Sequence, residues 1–164
     1  MMSKPLVKVC CITSISEAKS ALKSGADLLG LVSEMPSGPG VISLSKISDI
    51  VTALPAKTRT VLLTSKLRAQ DILKQHEQTQ TWGLQIVDRL PKSELVLLRK
   101  ALPDTQLIQV IHVHDKSSLQ EALGYAALVD MLLLDSGNPF AKTKTLGGTG
   151  LTHDWEISRL ICQQ

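Results

Sequence analysis

The sequence has few aromatic residues, few cysteines and no long apolar run. Its aromatic side chains are two tryptophans, one tyrosine and one phenylalanine, too few for the stacking surface that binds single-stranded nucleic acid. The net charge of +3 comes from scattered lysines and arginines rather than from a basic cluster. No window reaches the roughly 18 apolar residues that a membrane span requires. We therefore expect neither nucleic acid nor a membrane as a partner.

The cysteines are also few, and their spacing suits neither disulfides nor zinc. Cys10 and Cys11 are adjacent, and Cys162 is the only other one. Residues 1–5 lead directly into an apolar segment, without the basic and apolar regions of a secretory signal. The expectation is a cytoplasmic protein with reduced thiols. With 164 residues, 43% of them hydrophobic, the chain is predicted to form a single globular domain, residues 1–164.

Short apolar runs alternate with amphipathic segments along the chain. Ser14 and Glu17 form a capping box at the start of the first amphipathic segment, and Gly25 lies where that helix should end. Repetition of this unit without hairpin signals predicts an all-parallel sheet, either doubly wound or a (β/α)₈ barrel. The predicted strands are residues 6–12, 28–32, 59–63, 83–87, 107–113 and 130–134.

Reactive side chains lie at the carboxyl ends of the first and the last of these strands. Cys10 and Asp135 could serve as base and acid for moving a proton between carbon and oxygen, although a packed thiol and a capping carboxylate fit as well. Gly147, Gly148 and Gly150 lie in a loop before a helix, where free N–H groups would suit an anion or a sugar. Taken without its strand-loop-helix context, the glycine motif fits a plain flexible turn better than a ligand loop.

Two histidines in the fifth predicted strand leave a metal site open. His112 and His114 alternate along the strand, so both should face one side and could hold a divalent ion with Asp135 or His153. A metal-dependent hydrolase is therefore one hypothesis. His114 could instead contact a substrate, and His112 could be a core residue.

Five segments together resemble the phosphoribosylanthranilate isomerase family, whose fold is a (β/α)₈ barrel of the TIM-barrel class. They are residues 8–13, 25–32, 133–135, 147–150 and 154–155. The resemblance extends over nearly the whole chain and covers the first six of the family's eight βα units. It implies an α/β fold, here a truncated barrel of about six parallel βα units.

The resemblance also implies a function in tryptophan biosynthesis. The family performs an Amadori rearrangement of N-(5-phosphoribosyl)anthranilate, a small phosphorylated aminosugar, to carboxyphenylamino-deoxyribulose phosphate, with neither a metal nor an organic cofactor. By resemblance, Cys10 is the general base and Asp135 the general acid. The resemblance assigns substrate contacts to Gln85, Gly147, Gly148 and Gly150, and His114 joins them because of its place near the end of the fifth predicted strand.

Four positions depart from the family pattern. Cys11 replaces the glycine that usually follows the catalytic cysteine, and alternation along a strand predicts that only one of the two thiols faces the site. Gly40 replaces an arginine expected to hold the anthranilate carboxylate. Val87 and Asp88 replace a histidine and a glycine. These changes resemble a divergent branch of the family.

The sequence ends before the last two strands of the family, which carry its phosphate-binding loops. A six-stranded fragment has its first and sixth strands as open edges, and open edges favour self-association. An inactive truncated homologue, acting as a pseudoenzyme, a phosphosugar-binding module or an interaction module, is therefore the alternative to an active isomerase.

Overall fold

Strands and helices alternate along residues 4–137 and 150–164, the part of the chain that the computed structural model describes. No helix in these two ranges is long and apolar enough to cross a membrane. The elements are β1 Lys8–Val9, α1 Ile15–Lys23, β2 Leu28–Val32, α2 Leu44–Thr52, β3 Arg59–Thr64, α3 Ala69–Thr79, β4 Gly83–Ile86, α4 Lys92–Ala101, β5 Gln106–His112, α5 Ser117–Ala126, β6 Met131–Asp135 and α6 Trp155–Cys162.

The strands lie side by side in chain order and every neighbouring pair is parallel. A doubly wound sheet reverses its strand order at a switch point, and this sheet has no reversal among the described strands. Because successive right-handed crossovers all place their helices on one face, the other face is left to form the interior of a barrel. The sheet is a curled half-barrel, which confirms the predicted fold class.

Each face of the sheet has its own apolar layer, as β2 illustrates. Leu29 and Leu31 point toward the helices and pack in the larger cluster. Leu28 and Val32 point toward the barrel interior and pack with Val61 and with residues of the later strands. Alternation along each strand therefore decides which side chains reach the interior, where strand ends hold ligands in barrels.

The predicted capping box at the start of α1 is confirmed. The Ser14 hydroxyl accepts a hydrogen bond from the Glu17 amide at 3.2 Å, and the Glu17 carboxylate accepts one from the Thr13 amide at 2.7 Å. Gly25 follows this helix with φ of 95°, a conformation that suits glycine.

The first strand is much shorter than the predicted residues 6–12. It covers only Lys8–Val9, because Cys11 has φ of 60° and leaves the extended conformation. The chain still follows β2, since the Ile12 amide donates to the Gly30 carbonyl at 3.1 Å. This local turn lies at the edge of the candidate site.

Candidate active site

A cavity of about 270 Å³ opens at the carboxyl ends of the strands on the interior face of the sheet. This is the edge at which parallel-strand barrels bind their ligands. Its lining comes from β1, β2, β3, β4 and β6, from residues directly after β1 and β4, and from the loop after β2. The lining residues are Lys8, Cys10, Cys11, Val32, Met35, Ser37, Gly38, Pro39, Leu63, Gln85, Val87, Leu133 and Asp135.

The curl of the sheet brings Cys10 and Asp135 to this one cavity. Cys10 follows β1 and Asp135 ends β6, so the two residues belong to opposite edges of the sheet. In a flat sheet the two edge strands would be about 24 Å apart, at about 4.8 Å per strand spacing. Both residues nevertheless line the same cavity. The two residues predicted as base and acid therefore face one ligand-sized space.

Cys10 and Lys8 lie side by side over Gly30. A Cβ atom added to Gly30 would be 2.7 Å from the Cys10 Sγ and 3.1 Å from the Lys8 Nζ. The missing side chain at Gly30 thus makes room for a thiol and an ammonium group on neighbouring positions. Sequence reasoning did not assign a role to Lys8. The available signal was a single charged residue in an apolar strand, two positions before Cys10 and hence on the same face.

Cys11 also lines the cavity, so the expectation that only one thiol faces the site is wrong. Strict alternation would turn adjacent side chains to opposite faces. The positive φ of Cys11 breaks this alternation. Its Sγ donates to the Pro39 carbonyl at 3.6 Å, in the loop after β2, and the side chain lines the cavity together with Cys10.

The departures at positions 11 and 40 are physically linked. A Cβ atom on Gly40 would lie 2.6 Å from the Cβ and 2.9 Å from the Cα of Cys11. The loop has little freedom to retreat, because Val41 bridges Val32 and the Ile42 amide donates to the Val32 carbonyl at 3.0 Å. The close approach of Cys11, through its Cα atom as well as its side chain, therefore requires glycine at position 40, where the family arginine is expected.

The two thiols and Lys8 influence one another electrostatically. Burial raises the pKa of Cys11, and the charge of Cys10 and a hydrogen bond with Cys10 raise it further, while the Lys8 ammonium acts in the opposite direction. The surroundings of Cys11 therefore favour its protonated thiol.

Gln85 brings an amide into the cavity from β4. It lies between Leu63 and Ile108 of the neighbouring strands and is only 5% exposed. Its Oε1 atom has no hydrogen-bond donor among the described residues. A buried acceptor without a donor carries a desolvation penalty of about 1–3 kcal/mol, which a donor group on a ligand would remove.

Asp135 lies at the end of β6, in register with His112 of β5. One oxygen of its carboxylate accepts a hydrogen bond from the Ser136 amide at 2.7 Å. His112 is buried, and its Nε2 atom lies 2.9 Å from the Val87 carbonyl, to which it donates. Its Nδ1 atom has no hydrogen-bond partner among residues 4–137 and 150–164.

The structure does not place the remaining predicted residues in the cavity. His114 is exposed on the loop after β5, where its backbone amide donates to the Ser118 hydroxyl at 3.1 Å. Gly150 is exposed, with φ of 66° and no described atom within 4 Å of a Cβ added there. Gly147 and Gly148 lie outside the described residues. Their roles stay predictions.

The metal-site hypothesis finds no support in the described part of the chain. No group of three or more histidine, cysteine, aspartate or glutamate side chains there could hold a metal ion. His112 donates to a backbone carbonyl, and the His153 Nε2 atom lies 2.7 Å from the Ser158 hydroxyl. Both rings are therefore bonded within the fold rather than gathered around one point.

The sequence is similar to proteins named N-(5'-phosphoribosyl)anthranilate isomerase. The protein of Nostoc punctiforme is 32% identical over 152 residues, which cover 92% of this chain and 70% of the relative. Isomerase 2 of Methanosarcina mazei is 30% identical over 159 residues, which cover 96% of this chain and 70% of the relative. No family model matches the sequence.

Solved structures of proteins with the same name share the fold. The crystal structure of phosphoribosyl anthranilate isomerase from Thermotoga maritima matches with a TM-score of 0.75 and 27% identity, over 94% of this chain and 70% of that one. A second isomerase structure, at a TM-score of 0.72 and 24% identity, covers 80% of this chain and 65% of that one. That protein was crystallised in complex with reduced 1-(o-carboxyphenylamino)-1-deoxyribulose 5-phosphate.

Proposed function

The chain belongs to the phosphoribosylanthranilate isomerase family, and from this premise we propose that it catalyses the Amadori rearrangement of N-(5'-phosphoribosyl)anthranilate in tryptophan biosynthesis. The observation that carries the proposal is that Cys10 and Asp135, from opposite edges of the sheet, line one cavity at the catalytic end of the barrel. Relatives at 30–32% identity with this name support it.

The reaction needs an acid and a base on two sides of the sugar. Asp135 protonates the ring oxygen, and the ring opens as the C1–O bond breaks and the amine nitrogen forms an iminium. Cys10, as thiolate, then takes the proton from C2. The electron pair of that C–H bond neutralises the iminium and yields an enolamine, which tautomerises to the ketone. General acid and base catalysis of this kind contributes about 10²–10⁴ in rate each.

Lys8 and Gln85 complete the proposed site. The Lys8 ammonium lies beside Cys10 over Gly30 and brings a positive charge to the reacting end of the cavity. Gln85 offers its unpaired oxygen to a hydroxyl or amine of the sugar. Replacement of Lys8 by methionine, which keeps the length of the side chain but removes the charge, is expected to lower kcat while the fold persists.

The substrate is a small phosphorylated aminosugar, and we assign further contacts to Gly147, Gly148 and Gly150 by their place in the family pattern and to His114 by its place after the fifth strand. A related structure holds a phosphorylated analogue of the product, which supports this class of ligand. Gly150 has a positive φ in the segment before α6. Replacement of Gly150 by alanine is expected to raise KM more than it lowers kcat.

The test is the loss of anthranilate fluorescence when the 164-residue chain receives phosphoribosylanthranilate. Turnover should be present in the unmodified chain and in Cys162→Ser, because Cys162 ends α6 and is not among the residues that line the cavity. Asp135→Asn should lose it by about 10²–10⁴-fold. Absence of turnover from a chain shown to be folded would contradict the proposal and favour the non-catalytic alternative.

Two properties of the molecule in its cell belong to the same proposal. The free thiols of Cys10, Cys11 and Cys162 suit the reducing cytoplasm.

β1 and β6 form the edges of the described sheet, and unpaired strand edges favour association with another chain. Sedimentation velocity should therefore detect self-association of the 164-residue chain, and a monomer at all concentrations would contradict that expectation.

A further inference from the structure

Cys10 and Cys11 form a pair of adjacent thiols that open into one cavity. This arrangement depends on the positive φ of Cys11, which turns its side chain to the same space as that of Cys10. Cys10 packs over Gly30, and Cys11 packs over Gly40 and donates to the Pro39 carbonyl. Both side chains are at least partly accessible from the cavity.

A disulfide between these two residues is geometrically unfavourable. The α-carbons of adjacent residues joined by a trans peptide lie about 3.8 Å apart. Disulfides usually join α-carbons about 4.4–6.8 Å apart, and shorter separations store strain. An atom inserted between the two sulfurs relieves this constraint, because it lengthens the bridge by one atom. The two thiols are therefore better suited to bind one atom that bridges their sulfurs than to form a disulfide with each other.

The number of protein ligands that an atom needs decides which atom can bridge the two sulfurs. Zinc in proteins takes four ligands at structural sites and three at catalytic sites. No cluster of three or more metal-ligating side chains exists among the described residues. An organic trivalent arsenical needs only two sulfurs, because its third bond is to carbon.

We infer that Cys10 and Cys11 together form a dithiol site for monosubstituted trivalent arsenicals. When phenylarsine oxide binds, each thiol forms an As–S bond, the bonds from arsenic to oxygen break, and oxygen leaves as water with the two thiol protons. Arsenic stays trivalent, and no oxidant or reductant is consumed. The bound arsenical fills the cavity mouth and blocks access to the thiol of Cys10.

The site should show the affinity of a chelate rather than that of a single thiol. Binding of the second sulfur is intramolecular, and such linkage raises affinity by about 10²–10⁴-fold over either contact alone. Cys162 provides an internal reference, because it is an exposed single thiol on α6. It should bind the arsenical only weakly and release it to a competing monothiol.

The experiment treats the 164-residue chain with phenylarsine oxide, challenges it with glutathione, and counts adducts by intact-mass spectrometry. The unmodified chain and Cys162→Ser should each retain one adduct, which 2,3-dimercaptopropanol then removes. Cys10→Ser, Cys11→Ser and Cys11→Gly should lose it, with affinity lower by about 10²–10⁴-fold. Circular dichroism of each variant verifies folding.

Three outcomes would overturn the inference. The first is that Cys11→Ser or Cys11→Gly keeps an adduct that resists glutathione as well as the adduct of the unmodified chain does. The second is that Cys162→Ser loses the adduct. The third is that the unmodified chain forms no adduct that resists glutathione. None of these outcomes depends on isomerase activity, so the result is independent of the proposed reaction.

Discussion

The contact between positions 11 and 40 makes a quantitative prediction about stability. Gly40→Ala places a Cβ atom 2.6 Å from the Cβ of Cys11 in a residue with φ of 76°. The left-handed conformation costs an L-residue about 1–2 kcal/mol. Forcing a methyl group into filled space costs about 1–3 kcal/mol more. We expect the free energy of unfolding to fall by about 2–5 kcal/mol.

Two comparisons separate the conformational cost from the contact. Gly38→Ala introduces the same methyl group at φ of 111°, with no described atom within 4 Å of the new Cβ. Its loss in free energy of unfolding therefore comes from the backbone conformation alone. Cys11→Gly removes the Cβ and Sγ atoms, at 2.6 and 3.2 Å from the new methyl group, but keeps the Cα atom at 2.9 Å and leaves the φ of Gly40 unchanged. In that background Gly40→Ala should cost less, by part of the contact cost of about 1–3 kcal/mol, whereas Gly38→Ala should cost the same.

The assay is urea unfolding followed by far-ultraviolet circular dichroism, with the unmodified chain, the three single variants and the two double variants measured together. The coupling energy follows from the double-mutant cycle, and the slope of the unfolding transition verifies that the same surface is exposed in each variant. An equal cost of Gly40→Ala with and without the Cys11 side chain would refute the link between the two positions.

Asp130 and Tyr125 provide further tests of the fold. Burial opposes ionisation of Asp130, but hydrogen bonds from the Leu107 amide and from Arg99 outweigh it and lower its pKa. Its stabilisation is present above the unfolded pKa of about 4 and is lost as pH falls through the lower folded value, so Asp130→Asn should reduce the urea midpoint at pH 7 and have little effect in acid. Tyr125 donates to the Leu90 carbonyl at 2.8 Å. Tyr125→Phe should cost about 1–3 kcal/mol in urea unfolding at pH 7, because a buried carbonyl loses its donor; a variant as stable as the unmodified chain would contradict this.

The sequence pattern predicts the fold well where one physical cause dominates. Apolar runs identify all six strands, and β2 has the predicted bounds, because a strand buried on both faces has no polar residues to interrupt it. β1 is shorter than predicted because the φ of Cys11 is a backbone property that hydrophobic patterning does not encode. The choice between a doubly wound sheet and a barrel also needed strand order, which periodicity lacks.

The sequence predicts which residues belong to the candidate site better than it predicts how their side chains are arranged. Cys10, Gln85 and Asp135 follow from strand ends and from the family pattern, and all three line the cavity. The prediction for Cys11 failed, because the alternation of side chains assumed an extended backbone. The link between Cys11 and Gly40 is a contact between residues on two different loops, which no local pattern contains.

The central claim is that Cys10 and Asp135 act chemically rather than as supports of the cavity. A variant that loses chemistry but keeps its binding site lowers kcat without weakening the affinity for a ligand that resembles the product. The ligand of choice is reduced 1-(o-carboxyphenylamino)-1-deoxyribulose 5-phosphate, which a related isomerase holds in its crystal structure.

The most direct measurement is therefore calorimetric binding of this ligand to the unmodified chain, Cys10→Ser and Asp135→Asn, together with kcat for each. The account predicts dissociation constants equal within error and values of kcat lower by about 10²–10⁴-fold in both variants. Turnover near that of the unmodified chain in either variant, or a loss of binding that accounts for the whole loss of activity, would contradict it.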